Sequence, residues 1–376
     1  MRVAIVALSC QNGGMLHYAS QLANSLASQA EVHFFTPAKR ELADYLSRDL
    51  THHPTLQLSY PGQPLRTLSR QLNPLVHGLN AQRIRKVRPD VIHLVTAHPA
   101  NSLLLPLLGD TPVCFTLHDP SAHPGESTPL KDFLMQRTIA GVDRLIVHGE
   151  ALRTELAAQG IEASRIAVIP HGDYGFLLRH AGAIAEEPMI LCLGRLSAYK
   201  GLEVLCQAER LFGDRLGDYR VCIAGEGDPE LFREEIGPSG RIDVINRFLS
   251  DEEVAHLFQR ARLVVLPYTQ ASQSGVLAIA QAFGKAAIVT DVGGLPEAVA
   301  YGEAGLIVPP RDASALAEAV VRAWHDPELR QRLAWGGRAR VEQEIGWPIV
   351  AQHHLALYRQ MGANSAPAGA PLPLRS

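Results

Sequence analysis

Short runs of valine, isoleucine and leucine recur along the chain between longer stretches whose apolar residues fall three and four apart. In the first half, strands are read at 3–8, 32–36, 56–60, 90–95, 112–118, 144–149 and 166–169. In the second half they fall at 189–194, 219–224, 242–246, 263–267, 286–290 and 305–308. Most of these runs are uninterrupted rather than alternating, the pattern of parallel strands covered by helices on both faces. Strands alternating with helical stretches make βαβ units, so the expected class is α/β with two open, doubly wound parallel sheets.

The periodicity lapses over Leu177–Pro188 before a fresh strand begins at Met189. That lapse divides the chain into one domain at 1–180 and a second at 186–341, and a length of 376 residues suits two such domains. A last helical stretch at 342–361 is expected to pack back on the first domain. The Pro/Ala-rich residues 363–376 read as a disordered end.

Composition narrows the class without naming a function. The chain is 47% hydrophobic and 19% charged with a net charge of -3. That balance excludes a disordered chain and lacks the positive excess of a nucleic-acid binder. No apolar stretch approaches the ~18 residues of a membrane span, and Met1–Leu8 is too short for the apolar core of a signal peptide. Membrane contact is therefore expected to be peripheral. Cys10, Cys114, Cys192, Cys206 and Cys222 form no CxxC pair, which points to reduced thiols in a cytoplasmic compartment.

Charge is unevenly placed. Between Asp49 and Asp90 no acidic residue occurs, while Arg66, Arg70, Arg83, Arg85, Lys86 and Arg88 are all basic, with His52, His53 and His77 nearby. Leu65, Leu68, Leu72, Leu75, Leu79 and Ile84 accompany them at near-helical spacing, and Pro74 and Gly78 interrupt any long helix. Such a segment suits an anionic lipid surface or a diphosphate-bearing acceptor; it is equally the pattern of a solvated helix face.

In an open α/β sheet ligands bind beyond the carboxyl ends of the strands, so the loops after strands matter most. Gly13 and Gly14 follow the first strand and open a helix, where bare backbone N–H groups can meet an anion. Neither GxGxxG nor the P-loop lysine motif is present. The fifth strand leads into His118 and Asp119, with His123 and Glu126 following. That cluster could bind a metal, transfer protons or hold an acceptor, or His118 could be structural; loose spacing and the lack of a third ligand weigh against metal. In the second half Gly194-Arg195 and Lys200-Gly201 flank a strand-to-helix loop, so a guanidinium fork and an ammonium can converge on one diphosphate. Further post-strand loops hold Glu226 between two glycines, then Phe248 and Leu249 ahead of a capped helix, then Ser274-Gly275-Val276, and Gly293-Gly294 ahead of Glu297.

Taken in order, GR…YKG, GEG, SDEEV, PY…QSGV, AFGK and TDVGGLPE resemble the nucleotide-sugar half of the retaining glycosyltransferases of family 4, and the Gly13-Gly14 loop and His118-Asp119 turn are similar to the acceptor half. The resemblance runs to about residue 361 and implies a GT-B fold, two Rossmann-like domains facing a cleft, working without a metal or cofactor. It implies that Arg195 and Lys200 hold the donor diphosphate and stabilise the leaving group, with Ser274, Gly275 and Val276 on the distal phosphate and Phe248 and Leu249 near the base. Gly13, Gly14, Gly194, Glu226 and Glu297 would complete the donor site. His118 would lie near the transferred sugar, and Asp119, His123 and Glu126 on the acceptor side. Two glutamates that the family carries eight positions apart are here Ala271 and Ile279, with Glu297 or Gln281 as conceivable substitutes. The implied function is sugar transfer with retention from a UDP- or GDP-sugar to a saccharide or lipid-linked acceptor in surface-glycan synthesis. A non-catalytic partner subunit and a GT-B epimerase are the alternatives; the motif order fits a transferase better than an epimerase.

Overall fold

The computed structural model describes residues 1–8, 13–37, 45–58, 60, 63–119, 128–237 and 239–365. The first domain runs β1 (Arg2–Val6), α1 (Gly14–Ala27), β2 (Glu31–Pro37), β3 (Thr51–Thr55), α2 (Pro64–Gln71), α3 (Pro74–Lys86), β4 (Val91–Leu94), α4 (Asn101–Leu104), β5 (Val113–Thr116), α5 (Pro129–Gly141), β6 (Arg144–Val147), α6 (Glu150–Ala158) and β7 (Ile166–Val168). Its seven strands form one sheet in the order β3-β2-β1-β4-β5-β6-β7. The second runs β8 (Met189–Leu193), α7 (Leu202–Leu216), β9 (Arg220–Ala224), α8 (Glu230–Arg233), β10 (Ile242–Ile245), α9 (Asp251–Arg260), β11 (Leu263–Leu266), α10 (Gly275–Ala282), β12 (Ala287–Thr290), α11 (Leu295–Ala298), β13 (Leu306–Val308), α12 (Ala313–His325) and α13 (Pro327–Arg340). Its six strands are ordered β10-β9-β8-β11-β12-β13.

Every pairing in both sheets is parallel, from Val3 beside Val32 and Val91 in the first to Ile190 beside Val221 and Leu263 in the second. Central strands such as β4, β5 and β11 are buried along their whole length; β11 is wholly apolar, and the polar His93 of β4 and Thr116 of β5 are paired with each other. Strand order reverses between β1 and β4 in one sheet and between β8 and β11 in the other. The switch-point crevices thus lie after β1 and β8, where Gly13 and Arg195 occur.

Two local expectations are corrected. The third strand is Thr51–Thr55, not the apolar 56–60 run. It is an edge strand that pairs only with β2, so it tolerates Pro54 and needs only one covered face. His53 stacks on Phe35 at 4.6 Å, an aromatic contact that stands in for aliphatic packing, and Leu58 of the neglected run is fully buried beyond the strand. Gly78 does not interrupt its helix: α3 runs through it from Pro74, whose missing N–H suits a first helical position.

The chain then returns. After a π-helical turn at Val341–Ile345, α14 (Trp347–Ser365) packs against α1 and β4 of the first domain. Trp347, Val350, Leu355 and Tyr358 share a core with Val3, Ile5 and Leu22. The Tyr358 hydroxyl sits 2.6 Å from His93 Nδ1, and His93 Nε2 is 2.7 Å from Thr116 Oγ1, so one buried polar chain ties α14 to β4 and β5. The 363–376 tail lies largely outside the described residues; Ala363–Ser365 belong to the last turn of α14. Cys114, Cys192, Cys206 and Cys222 are buried and free. Among the described residues no helix is long and apolar enough to cross a membrane.

Candidate active site

The loop after β8 builds the cationic centre. Gly201 adopts φ +62, and a methyl group there would lie 2.0 Å from the Pro267 carbonyl, so only glycine lets the loop turn against the end of β11. That turn lodges Lys200 beside Tyr268, with Nζ 3.7 Å from the ring centroid, a cation–π contact, and 5.0 Å from the Tyr199 ring. Burial pulls the Lys200 pKa down to about 7; Arg195 acts in the same direction, while the Asp119 carboxylate, from the other domain, acts against it. A methyl group on Gly194 would sit 3.6 Å from Lys200 Nζ and 3.8 Å from the Val276 side chain, so Gly194, Lys200 and Val276 border one space.

That space opens on the N-terminus of α10. Ser274 caps this helix by accepting from Leu277 N at 3.2 Å, and its Oγ lies 3.3 Å from the Tyr268 hydroxyl. Neither α10 nor α1 carries an acidic residue in its first turn, so neither helix offsets the positive end of its own dipole with a carboxylate there. Both helices converge on the Tyr174 hydroxyl: methyl groups placed on Gly14 and Gly275 would lie 3.1 and 2.9 Å from it. Two helix N-termini, one lysine and one arginine therefore meet in the cleft, which is what an anionic diphosphate requires.

Beneath the first-domain side lies a buried group of histidines. His118 Nε2 is 3.1 Å from the Val95 carbonyl, its Nδ1 is 3.0 Å from His148 Nε2, and His148 Nδ1 is 3.0 Å from the Ile169 carbonyl. Burial pushes His118 down to about 3 and His171 to about 4, with His148 also well below the usual range. His118 thus stands buried at the carboxyl end of β5, with the Val95 carbonyl against one ring nitrogen and His148 against the other. With both nitrogens facing protein groups, His118 has none directed at a ligand for the proton transfer that its sequence context also allowed.

Several other candidates sit differently from the sequence reading. Leu249 is packed into the second-domain core, leaving Phe248, 56% exposed, as the side chain that the loop presents. Glu226 is exposed on the loop after β9, and its carbonyl accepts from Leu196 N at 2.9 Å. Ile279 is buried in the core face of α10. Both proposed glutamate substitutes are hydrogen-bonded to protein groups: Gln281 donates to the Ala298 carbonyl at 2.8 Å, and Glu297 accepts from Glu150 N at 2.9 Å, across the cleft. His123 and Glu126 lie outside the described residues.

Reading the sequence alone missed His148, His171 and Tyr174. The first stands in a post-strand loop and was findable by that rule; the other two lie in the segment joining the domains, where no local pattern marks them. Among the described residues no group of three or more His, Cys, Asp and Glu is placed to hold a metal ion.

Comparison with known proteins agrees with this architecture. Residues 12–172 match the family model for Glycosyltransferase Family 4, and residues 187–326 that for Glycosyl transferases group 1. A glycogen synthase from Mycobacterium tuberculosis is 30% identical over 307 residues, 75% of this chain and 72% of the relative. A phosphatidyl-myo-inositol mannosyltransferase from the same organism is 28% identical, over 74% of this chain and 75% of its own. An alpha-D-kanosaminyltransferase from Streptomyces kanamyceticus, 29% identical, is matched over only 49% of its length. Anabaena Alr3699/HepE, solved in complex with UDP-glucose, superposes with a TM-score of 0.75 at 17% identity, covering 96% of this chain and all of that one (100%). The chain belongs to the family 4 glycosyltransferases and is built on the GT-B fold.

Proposed function

We propose that the protein transfers a sugar from a UDP- or GDP-sugar to a saccharide or lipid-linked acceptor, with retention and without a metal, in the synthesis of a surface glycan such as exopolysaccharide or lipopolysaccharide. The observation that carries this reading is the convergence of Lys200, Gly194 and Val276 at the N-terminus of α10, whose first turn holds no acidic residue, with the Asp119 carboxylate near Lys200. Arg195 and Lys200 supply the positive charge on which the nucleoside diphosphate leaves. The acceptor hydroxyl attacks from the same face, and the departing phosphate takes its proton, so catalysis rests on electrostatics and positioning. His118, held between the Val95 carbonyl and His148, lies near the transferred sugar, and Asp119 stands on the acceptor side. The HepE complex with UDP-glucose and the mannosyltransferase that acts on an inositol lipid support the donor and lipid parts by analogy.

The lipid part also draws on the exposed surface of the first domain. Leu65, Leu68, Leu72, Leu75 and Leu79 of α2 and α3 are 48 to 82% exposed. Arg83, Arg85 and Lys86 line an open groove of about 890 Å³ on α3, floored by Pro106, Leu107 and Gly109. Cations beside exposed leucines fit the inner, anionic face of a cell membrane, where a cytoplasmic enzyme would meet a lipid-linked acceptor.

One observation favours a non-catalytic partner subunit: Ala271 and Ile279 offer no carboxylate, and Gln281 and Glu297 are engaged elsewhere. Thermal stabilisation and sugar release with a panel of UDP-, GDP- and ADP-sugars separate the two. A ligand at ~100 times its Kd adds about 2.7 kcal/mol. Stabilisation by one nucleotide, lost in Arg195→Ala and Lys200→Ala, together with sugar release reduced on the order of 10²-fold in Arg195→Ala, is the expected result. Stabilisation without release in the presence of acceptors favours the partner subunit; normal turnover by Arg195→Ala overturns the leaving-group role.

A further inference from the structure

We propose that Glu297 of the second domain and the N-terminus of α6 in the first form a latch that holds the cleft closed, making Glu297 a positioning residue for sugar transfer. Helices α3, α5, α9, α10, α12 and α13 begin with a side-chain cap from their own N-cap residue. Helix α6 does not: its N-cap is Gly149, which has no side chain to offer. The missing acceptor comes from across the cleft, where Glu297 Oε2 accepts from Glu150 N at 2.9 Å. A carboxylate on a helix N-terminus is favoured both by the hydrogen bond and by the dipole.

Gly149 also makes room for this contact. Its φ of -166 and ψ of 160 are ordinary extended values that any residue adopts, so backbone conformation does not require glycine there. A methyl group at that position, however, would lie 2.9 Å from Glu297 Oε2 and 3.5 Å from its Cδ. The space that the glycine leaves is the space that the carboxylate occupies. Glu150 itself turns away and pairs with Arg153 at 3.2 Å, so the two carboxylates do not compete for one partner.

The latch is tied to the donor cradle. Glu297 follows Gly293 and Gly294, and methyl groups on these two would lie 1.6 and 2.4 Å from the carbonyls of Ala271 and Ser272. The loop that bears the latch is therefore packed against the segment leading into α10, whose N-terminus borders the anion site. A second carboxylate spans the domains elsewhere: Asp251, at the start of α9, accepts from the Tyr45 hydroxyl at 2.7 Å and pairs with His17 Nε2 at 3.3 Å. With the cleft held at two points, release of either should open it only in part.

The consequence for catalysis rests on the proposed transferase reading, but the latch can be tested without turnover. Small-angle scattering of the full-length protein is compared for the parent, Glu297→Ala, Gly149→Ala and Glu150→Pro. Proline is well tolerated at the first position of a helix, and the extended Gly149 before it is compatible, so that variant removes the donated N–H and keeps α6. All three are expected to show a larger radius of gyration than the parent, and Glu297→Gln, which keeps an acceptor oxygen, a parent-like one. With a nucleotide sugar that turns over, each of the three is expected to lower kcat/KM about tenfold. The double variant Gly149→Ala/Glu297→Ala is expected to lose no more than either single one, because the clash at residue 149 exists only with the carboxylate present. Additive losses in the double variant, or parent-like scattering of Glu297→Ala, would overturn the latch. If the parent turns over no sugar, the transferase reading fails and scattering alone decides the latch.

Discussion

At Lys200 burial and function pull in opposite directions. Packing against Tyr268 leaves the ammonium poorly solvated and brings its pKa down to about 7, so near neutrality the free protein holds a mixture of charged and neutral amine. On the proposed donor site, a bound diphosphate would supply the missing counter-charge and restore the proton. Donor affinity is therefore expected to be level below about pH 7 and to weaken as the pH rises above it, by up to tenfold per unit. A nucleotide sugar is the suitable ligand, since its diphosphate diester does not itself titrate in this range. Titration calorimetry in buffers of different ionisation enthalpy should show proton uptake on binding above pH 7. In Lys200→Met binding should be weaker and free of both effects; a parent affinity that does not change from pH 6 to pH 9 would count against the assignment. The sign for folding is the reverse. Between about 7 and the ordinary value of 10.5 the unfolded chain binds the proton more tightly, so the free protein gains stability relative to Lys200→Met as the pH rises through that window. The position of Lys200 was legible from the chain, because a cation at a strand-to-helix turn is a local pattern. Its depressed pKa was not, since Tyr268 lies 68 residues downstream and reaches Lys200 only through the sheet.

Elements were legible wherever a local rule decides them. The capping box at Ser250 and Glu253 is written in four consecutive residues, and the structure forms both of its bonds, Glu253 N to Ser250 Oγ at 3.3 Å and Ser250 N to Glu253 Oε2 at 2.9 Å. Arg247 and the Ser250 backbone hold the Glu253 carboxyl down to about 2, so its stabilising contribution is present above the ordinary value of 4.5 and is lost as the pH falls through about 2. Ser250→Ala is expected to lower stability by about 1 kcal/mol, and Ser250→Gly by only a few tenths. Chemical denaturation of the two variants checks the order; equal losses would mean that the side-chain oxygen is not the cap. Strand β3 shows where local rules give out. Apolar character marked 56–60, yet hydrogen bonding to the free edge of β2 selects Thr51–Thr55, where His53 packs on Phe35. The N-terminus of α6 is likewise beyond any local rule, since its acceptor is supplied by a residue 147 positions away.

For the molecule as a whole the two-domain plan could be read from strand and helix order, whereas the face proposed to meet a membrane needs three dimensions. The acid-free segment was visible in the chain, but a run of leucines and arginines reads equally as a half-buried helix pair. The structure separates its parts. His77 is turned inward, its Nε2 2.7 Å from the Gln71 carbonyl, and contributes nothing to the surface. Ile84 is fully buried, while the five leucines of α2 and α3 remain outside. Because α3 runs back toward the start of β4, its Leu75 end lies on the cleft side of the sheet and Arg83, Arg85 and Lys86 lie toward the far end. A bilayer touching both would meet leucines near the cleft mouth and cations behind them, with the acceptor entering from the lipid side. Each cation near an anionic surface contributes about 1 kcal/mol, screened by salt, whereas inserted leucines are insensitive to it. The protein is therefore expected to sediment with phosphatidylglycerol-containing vesicles and not with neutral ones. Replacing Arg83, Arg85, Lys86 and Arg88 by glutamine should abolish that binding, and replacing Leu65 and Leu75 by serine should leave a weaker association that high salt removes. Sedimentation unchanged by the four glutamines would show that this face does not meet the membrane, while donor binding, centred on Lys200 and the N-terminus of α10 and involving none of these side chains, should be the same in every variant.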